Sequence, residues 1–204
     1  MHLYEFDQQI QELSYTDPGV KNHLKKLGYR SAGEGGDQST WLAPDGTILK
    51  IFGTQEGRKG LTEDHRMFIF WANFSKKNAS NPYMPRFSAW KEFEFPQGSG
   101  QTYLQIRMEK LTELPEDTKE LLDQFDWAVE IGLSYSELHR IVAGKLGRKF
   151  ATTNPLVKDA TLYNLIAKIK KIGNRHGWAL DLHVDNYMSR GGQVVIVDPW
   201  VASS

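Results

Sequence analysis

The chain has 204 residues, with 25 Lys and Arg against 25 Asp and Glu, a formal net charge of zero, and no Cys. A chain of this length can fold as one domain or two small lobes without disulfides or a structural metal. The lack of Cys excludes thiol catalysis and cysteine-ligated metal centres. Balanced charge without a long basic run argues against nucleic acid as a partner. Because the sequence shows neither a signal-peptide pattern nor an apolar run near the ~20 residues that span a bilayer, we expect a cytoplasmic protein without membrane contact.

The N-terminal half predicts a short helical region followed by strands. Residues 1–28 have the pattern of two short helices, and Gly28 to Phe52 predicts strand, glycine-rich turn, strand, tight turn, strand. Pro44-Asp45-Gly46 supplies the tight turn, because proline fixes φ and glycine accepts the left-handed position. The later segments are predicted as a helix over 61–74, a loop with one or two short strands over 78–101, and a strand over 103–108.

The C-terminal half is predicted to be mainly helical. Helical periodicity begins at Glu116, continues in a second helix through residues 135–142, and forms an amphipathic stripe over 162–172 that is predicted to stop at Gly173. A hairpin then leads into the apolar run 194–197, which is typical of a buried strand. Strands first and helices second predict an α+β, two-lobed chain with a boundary near 111–115.

The most informative segment for function lies near the C-terminus. Asp181-Leu182-His183-Val184-Asp185-Asn186 is followed, after a short hairpin, by Asp198. Nucleotide-dependent phosphoryl transfer needs one carboxylate to orient the attacking hydroxyl, and two oxygen-bearing side chains to hold Mg²⁺. Asp181 fits the first role, and Asn186 and Asp198 fit the second. A plain polar turn is the alternative, since Asp and Asn favour turns for backbone reasons.

These residues also carry a family resemblance. Asp181-Leu182-His183-x-x-Asn186, together with Val195-Ile196-Val197-Asp198, resembles the catalytic loop and metal-binding Asp of the protein-kinase-like superfamily. The Asp-Leu-His form looks most like the aminoglycoside- and choline-phosphotransferase branch. The continuation through Tyr187-Met188 to Asp198-Pro199 also looks like the compact Ser/Thr kinase domain encoded by some tailed bacteriophages.

The resemblance implies a minimal protein-kinase-like bilobal fold, with a β-rich N-lobe and a truncated helical C-lobe. Residues 1–28 would be a helical extension, 29–111 the N-lobe ending in a hinge, and 112–204 a reduced C-lobe. ATP and Mg²⁺ are the implied cofactors. The catalytic loop would use Asp181 as the catalytic residue and Asn186 and Asp198 as metal ligands.

The resemblance also implies roles for residues in the N-lobe. Lys50 would reach the α- and β-phosphates, and a carboxylate on the next helix would pair with it, with Glu63 as first choice and Asp64 as the alternate. The phosphates would lie against backbone N–H groups of a glycine-rich loop, and the adenine edge would pair with a hinge next to a pocket-limiting Met. The glycines are Gly33, Gly35 and Gly36. Met108 would be the pocket-limiting residue, and backbone carbonyl and amide groups at Glu109 and Leu111 would pair with the adenine edge.

The sequence departs from the family pattern at several positions. Ala179 stands where a His usually precedes the catalytic Asp, Gln38 replaces the third glycine, and Pro199-Trp200 follows Asp198. Residues 199–204 do not resemble an activation segment, so we expect the substrate to be held elsewhere, for example by residues 135–160. The basic group in that range is alternatively a solvated face; its members are Arg140, Lys145, Arg148 and Lys149. These departures favour a catalytically inactive pseudokinase, whereas the retained charged residues favour catalysis.

Several questions of function remain open at this level. A protein Ser/Thr hydroxyl is the first choice of acceptor, and a small-molecule hydroxyl is the alternative; a phage protein of this kind would work in the host cytoplasm. His183-x-Asp185 also resembles the start of a two-His, one-carboxylate iron site, but no His follows it. We therefore interpret His183 as a structural group within the loop. Oligomeric state is not indicated.

Overall fold

The computed structural model describes residues 22, 24–35, 38–52, 62–94 and 102–202. It divides the chain into two compact units. The first runs through Ser80 and includes Pro85–Lys110, and the second comprises Asn81–Met84 and the chain from Leu111 onward. Most of the predicted extension 1–28 lies outside the described residues. Its end is a helical turn closed by Gly28, where Tyr29 N–H donates to Leu24 O at 2.9 Å and Gly28 N–H to Lys25 O at 3.0 Å.

The first unit contains a five-stranded antiparallel sheet. Its strand order is β1-β2-β3-β5-β4, in which β1 is Arg30–Gly35, β2 is Gln38–Leu42, β3 is Ile48–Phe52, β4 is Phe87–Glu94 and β5 is Thr102–Met108. The predicted tight turn joins β2 to β3: Gly46 adopts φ of 82°, and the Asp45 carboxylate accepts from Thr47 N–H at 2.9 Å. The prediction of an α+β chain is confirmed at this level.

Helix α1, Glu63–Lys77, covers one face of this sheet and matches the predicted helix. It begins at Thr62, whose hydroxyl accepts from His65 N–H while His65 Nδ1 accepts from Thr62 N–H. This reciprocal cap uses a His where Glu or Gln is common. Phe68 on the buried face packs against Phe52 of β3 at 4.9 Å and Phe87 of β4 at 5.9 Å between ring centroids.

Strand β4 is longer than the sequence indicated. The segment 78–101 is predicted as a loop with one or two short strands. Eight of its residues form the single strand β4, which pairs with β5 from Phe87↔Met108 to Glu94↔Thr102 with Ser88 left out at the register shift. A register shift between Phe87 and Ala89 breaks the alternation of apolar residues, which conceals the strand in the sequence. The strand conformation of β4 therefore depends on its pairing with β5.

The second unit contains the helices α2 (Glu116–Glu130), α3 (Tyr135–Leu146), α4 (Arg148–Thr153) and α5 (Thr161–His176). Among its described residues, four strands form two antiparallel pairs, β6 (Trp178–Leu180) with β9 (Trp200–Ala202), and β7 (Tyr187–Arg190) with β8 (Gln193–Ile196). Helix α4 and the three-residue strands β6 and β9 are not predicted, because elements this short carry no periodicity. None of the helices among the described residues combines the length and apolarity needed to cross a bilayer.

The segment Asn81–Met84 belongs to the second unit, although the predicted N-lobe spans 29–111 without interruption. Ile196 N–H donates to Tyr83 O at 3.0 Å, so this segment bonds to the end of β8. The Arg190 guanidinium of β7 also donates to Pro82 O at 3.2 Å and Met84 O at 2.7 Å. The main crossing between the units lies between Lys110 and Leu111.

Candidate active site

The loop from Asp181 to Asn186 is held at its start by the β6–β9 pair. Leu180 pairs with Trp200, and Asp181 N–H donates to Pro199 O at 2.9 Å. The start of the loop therefore lies beside the chain that directly follows Asp198. This contact depends on β9, whose three residues the sequence analysis does not identify.

The end of the loop is tied both to its start and to β8. Asn186 Nδ2 donates to Asp181 O at 2.5 Å and lies 3.3 Å from Asp181 Oδ2. Val197 N–H donates to Asn186 O at 2.9 Å, and Val197 directly precedes Asp198. Asp181, Asn186 and Asp198 thus lie on adjacent segments joined by hydrogen bonds, and each remains partly exposed.

The chemistry of this cluster suits a hard cation. Because the amide nitrogen of Asn186 faces Asp181, its amide oxygen is directed to the other side, and Asp198 adds a carboxylate. Mg²⁺ is commonly bound by one or two such oxygens together with substrate phosphates and water. Within the described ranges, no group of three or more His, Cys, Asp or Glu side chains could hold a metal by itself. Asn186 and Asp198 would supply two oxygens to such an ion, whose remaining ligands would come from a phosphate or water.

His183 acts within the loop, as its structural interpretation predicts. Its Nδ1 accepts from Asp185 N–H at 3.3 Å and so caps the short 3₁₀ turn Val184–Asn186. This bond leaves the proton of a neutral ring on Nε2, which lies 3.8 Å from Asp181 Oδ2. The ring is 53% exposed. It can contact solvent or a substrate beside Asp181.

Helix α5 supports the loop through Trp200. Trp200 Nε1–H donates to Ile169 O at 3.2 Å, and its ring lies 5.4 Å from that of Trp178. Gly173 permits this approach, because a Cβ there would lie 2.9 Å from both Trp178 O and Trp200 Nε1. Ala179, at the position where the resemblance places a His, is exposed on β6. The loop itself is held by the bonds of Asn186 and Trp200.

Gly173 also corrects the predicted end of α5. The helix continues past it to His176 and ends at Gly177, which adopts the left-handed conformation at φ of 74°. Glycine at 173 serves close packing, whereas glycine at 177 ends the helix.

In the first unit, Lys50 lies on the face of the sheet that α1 covers. Its Nζ is 5.1 Å from the centroid of the Phe68 ring, a distance at which a cation is attracted to the aromatic face. Glu63, in the first turn of α1, has Oε2 3.6 Å from Arg66 Nη1, and both Glu63 and Asp64 are exposed. The carboxylate partner of Lys50 stays a prediction.

The predicted glycine-rich loop is partly strand. Gly33 pairs with Thr40 and Gly35 with Gln38, so both glycines belong to β1 rather than to the connecting turn. A register shift between Ser31 and Gly33 bends the strand just before them. Gly36 lies outside the described residues. Any backbone contribution of Gly33 and Gly35 to a phosphate would come from the end of a strand.

The predicted hinge residues lie at the end of β5 and directly after it. Met108 ends β5 and is buried, whereas Glu109 N–H donates to Arg86 O at 3.0 Å and Glu109 Oε1 accepts from Arg86 N–H at 2.8 Å. The amide of Glu109 is therefore used inside the first unit, and its pairing with adenine stays a prediction. The carbonyl of Glu109 remains a candidate for that role. Leu111 is buried and belongs to the second unit.

A cavity of about 210 Å³ lies within the second unit, between α2 and the α3–α4 segment. Its lining includes Lys145, Leu146, Phe150 and Asn154, all from the range 135–160 that is predicted to hold substrate. Lys145 Nζ lies 3.3 Å from Gln124 Oε1 across this cavity. Its walls are mixed in charge, since Asp117 and Glu120 face it as well.

One polar pair beneath the loop is absent from the sequence predictions, namely half-buried Asp126 and buried Tyr187. Tyr187, directly after Asn186, is buried, and its hydroxyl donates to Asp126 Oδ1 of α2. Burial raises the pKa of the Asp126 carboxyl to about 8, although the Tyr187 bond lowers it. The signal in the sequence is an Asp within the apolar stripe Leu122, Phe125, Val129.

A scan against protein-family models finds no match for this chain, and a search of curated proteins finds no relative. The roles of these residues are therefore inferred from their chemistry and geometry.

Proposed function

We propose that the chain is an ATP- and Mg²⁺-dependent phosphotransferase of the protein-kinase-like superfamily, with protein Ser or Thr hydroxyls as acceptors. The observation that carries this proposal is the loop Asp181–Asn186 with its bonds to Pro199 and Val197 on either side of Asp198. A base and two oxygen ligands on such adjacent segments are what phosphoryl transfer requires.

Asp181, Asn186 and Asp198 have distinct tasks in this proposal. Asp181 orients the acceptor hydroxyl and takes its proton; its carboxylate is 40% exposed and hence accessible. Asn186 and Asp198 would hold Mg²⁺, which supplies charge neutralisation on the phosphates when bound. The bond from Asn186 Nδ2 to Asp181 fixes the base and the amide ligand relative to each other.

The first unit supplies further support. In kinases the phosphate-binding lysine lies on the third strand, and the helix that follows carries its carboxylate partner. Lys50 lies on β3, and α1 follows β3 in the chain. The order strand, strand, strand with lysine, helix, two strands is compatible with the N-lobe that the resemblance implies. We propose Lys50 as the residue that contacts the α- and β-phosphates.

The experiment uses the full chain with γ-labelled ATP, Mg²⁺ and a cell lysate. Transfer to proteins supports the proposal, whereas transfer to small molecules alone indicates an aminoglycoside- or choline-type kinase. ATP-dependent thermal stabilisation without transfer indicates a pseudokinase. Since ATP is the phosphate donor, we propose the cytoplasm as the site of action.

Two loop variants make this experiment specific. Asp181→Asn should lower transfer at least ~100-fold, the usual range for loss of a general base. Asp185→Asn is the matched control, because it changes the same atoms four residues away on a side chain that is 81% exposed. Equal loss in both variants, or none in Asp181→Asn, would contradict the assigned role of Asp181.

A further inference from the structure

Asp126 occupies an unusual place on α2. Leu122 and Val129 lie one turn away on either side of it, and both are buried in the core of the second unit. An apolar residue would continue this stripe, so the carboxyl requires a partner. Asp126 Oδ1 accepts from the Tyr187 hydroxyl, whereas Oδ2 is buried without a hydrogen-bond partner in the described part of the chain.

Tyr187 connects this carboxyl to the candidate active site. It is the residue after Asn186, begins β7, and pairs with Ile196 across the hairpin. Its own N–H donates to Val184 O and closes the 3₁₀ turn that ends at Asn186. The side chain is held at α2 and the backbone at the loop, so the Tyr187 hydroxyl bond ties α2 to the residue that directly follows Asn186.

The surroundings of this pair disfavour a negative charge on either side chain. Burial raises the pKa of Asp126, the Tyr187 bond opposes this, and the nearby carboxylates of Asp123 and Glu130 raise it further, to about 8. Burial also raises the pKa of the Tyr187 phenol well above its usual value. A protonated acid bonded to a phenol avoids the cost of an isolated buried charge.

We propose that Asp126 is a positioning residue, which through the Tyr187 hydroxyl holds Asn186 in the orientation that it needs as a ligand. Asp126 does not touch the reacting groups. The effect on catalysis rests on the phosphotransferase function proposed above, whereas the effect on loop order does not. Two readouts therefore separate the proposals.

The first readout is amide hydrogen exchange in the full chain. Tyr187→Phe and Asp126→Leu each remove the bond and keep a bulky side chain at the site. We expect about three- to tenfold faster exchange at the amides of Asn186 and Val197, as loss of one buried hydrogen bond implies. Exchange in the first unit should not change. Unchanged exchange at Asn186 and Val197 in both variants would overturn the proposal.

Two further variants control for general loss of stability. Tyr163→Phe removes another hydroxyl of the second unit that donates to a backbone carbonyl, that of Leu133. It should leave exchange at Asn186 unchanged. Asp126→Asn keeps an acceptor for the Tyr187 hydroxyl and should exchange like the unaltered chain. Equal acceleration by Tyr163→Phe would reduce the pair to an ordinary stabilising bond and overturn the positioning role.

The second readout is steady-state phosphoryl transfer. Tyr187→Phe should lower kcat about three- to tenfold and raise the Mg²⁺ concentration needed for half-maximal rate, with the KM for the acceptor unchanged. Faster exchange together with unchanged kcat and Mg²⁺ dependence would overturn the catalytic part. If the unaltered chain transfers no phosphate, the function proposed above fails, and the exchange result still decides whether Asp126 orders the loop.

Discussion

Replacing Gly173 by Ala tests how α5 supports the candidate active site. The added Cβ would lie 2.9 Å from Trp178 O, 2.9 Å from Trp200 Nε1 and 3.0 Å from Trp200 Cδ1. Neither the Trp178 carbonyl nor the Trp200 indole can relieve the clash by a change of side-chain torsion at its far end. The backbone of Trp178 or the whole Trp200 ring must therefore shift. Trp200 begins β9, which pairs with β6 and so holds the start of the Asp181 loop.

Two costs and one gain determine the change in the free energy of unfolding. Overpacking of a close contact costs about 1–3 kcal/mol. Displacement of Trp200 weakens its bond to Ile169 O, at a cost of about 1 kcal/mol. Alanine improves helix propensity by about 1 kcal/mol over glycine. We therefore expect Gly173→Ala to lower the free energy of unfolding by about 1–3 kcal/mol.

Gly144→Ala provides the matched control. Gly144 lies in α3, is exposed, and has no atom within 4 Å of an added Cβ. The same substitution should there raise the free energy of unfolding by about 0.5–1 kcal/mol. Urea denaturation followed by Trp fluorescence measures both, and thermal unfolding should shift about 2–4 °C per kcal/mol. If Gly173→Ala is as stable as Gly144→Ala, the close packing of α5 against Trp200 is refuted.

Three further substitutions test the first unit. Lys50→Met should lower phosphoryl transfer at least ~100-fold, because Lys50 contributes mainly charge. The free energy of unfolding should change by less than about 1 kcal/mol. Transfer near the original rate would contradict the role of Lys50. Arg107→Lys should destabilise by about 1–3 kcal/mol in urea, since one guanidinium bonds Asp45 at 2.8 Å and the Tyr29 hydroxyl at 2.7 Å, and a lysine cannot reach both; an unchanged midpoint would contradict this. Hydrogen bonds from the side chain and backbone of Thr47, with Arg107 nearby, lower the pKa of Asp45. The ionised Asp45 carboxylate therefore stabilises the fold above about pH 4, and this stabilisation is lost as the pH falls further. Asp45→Asn should reduce the slope of the free energy of unfolding against pH on the acid side. An identical slope would refute the assignment.

The sequence predicts those elements whose own residues determine their conformation. It does not predict strands that form only by pairing with a distant strand. The Pro44-Asp45-Gly46 turn, helix α1 and the apolar run before Asp198 are each specified by their own residues. In contrast, β4 depends on pairing with β5, and β9 on pairing with β6. Gly173 shows why a residue type alone is ambiguous, since its glycine serves packing and does not end a helix.

Some residues of the candidate site are likewise predicted from the sequence, and others are found only in the structure. Spacing in the sequence indicates Asp181, Asn186 and Asp198, because a loop, a hairpin and a strand connect them in order. The contact of Asn186 Nδ2 with Asp181 and the pair Asp126–Tyr187 require coordinates. Asp126 lies 55 positions or more from the loop in sequence, and only the fold of the second unit brings it there. Residues that support a site from a distant part of the chain have no fixed sequence spacing to it, so a motif search cannot find them.

Binding of Mn²⁺ with ATP tests the proposed metal site most directly. Mn²⁺ can replace Mg²⁺ at oxygen ligands, and its unpaired electrons broaden the NMR signals of nearby nuclei. In the presence of ATP, we predict the strongest broadening at the side-chain amide of Asn186 and the backbone amide of Asp198, and its loss in Asp198→Asn. Strongest broadening at other residues, or the same pattern in Asp198→Asn, would contradict the assignment of these residues as ligands.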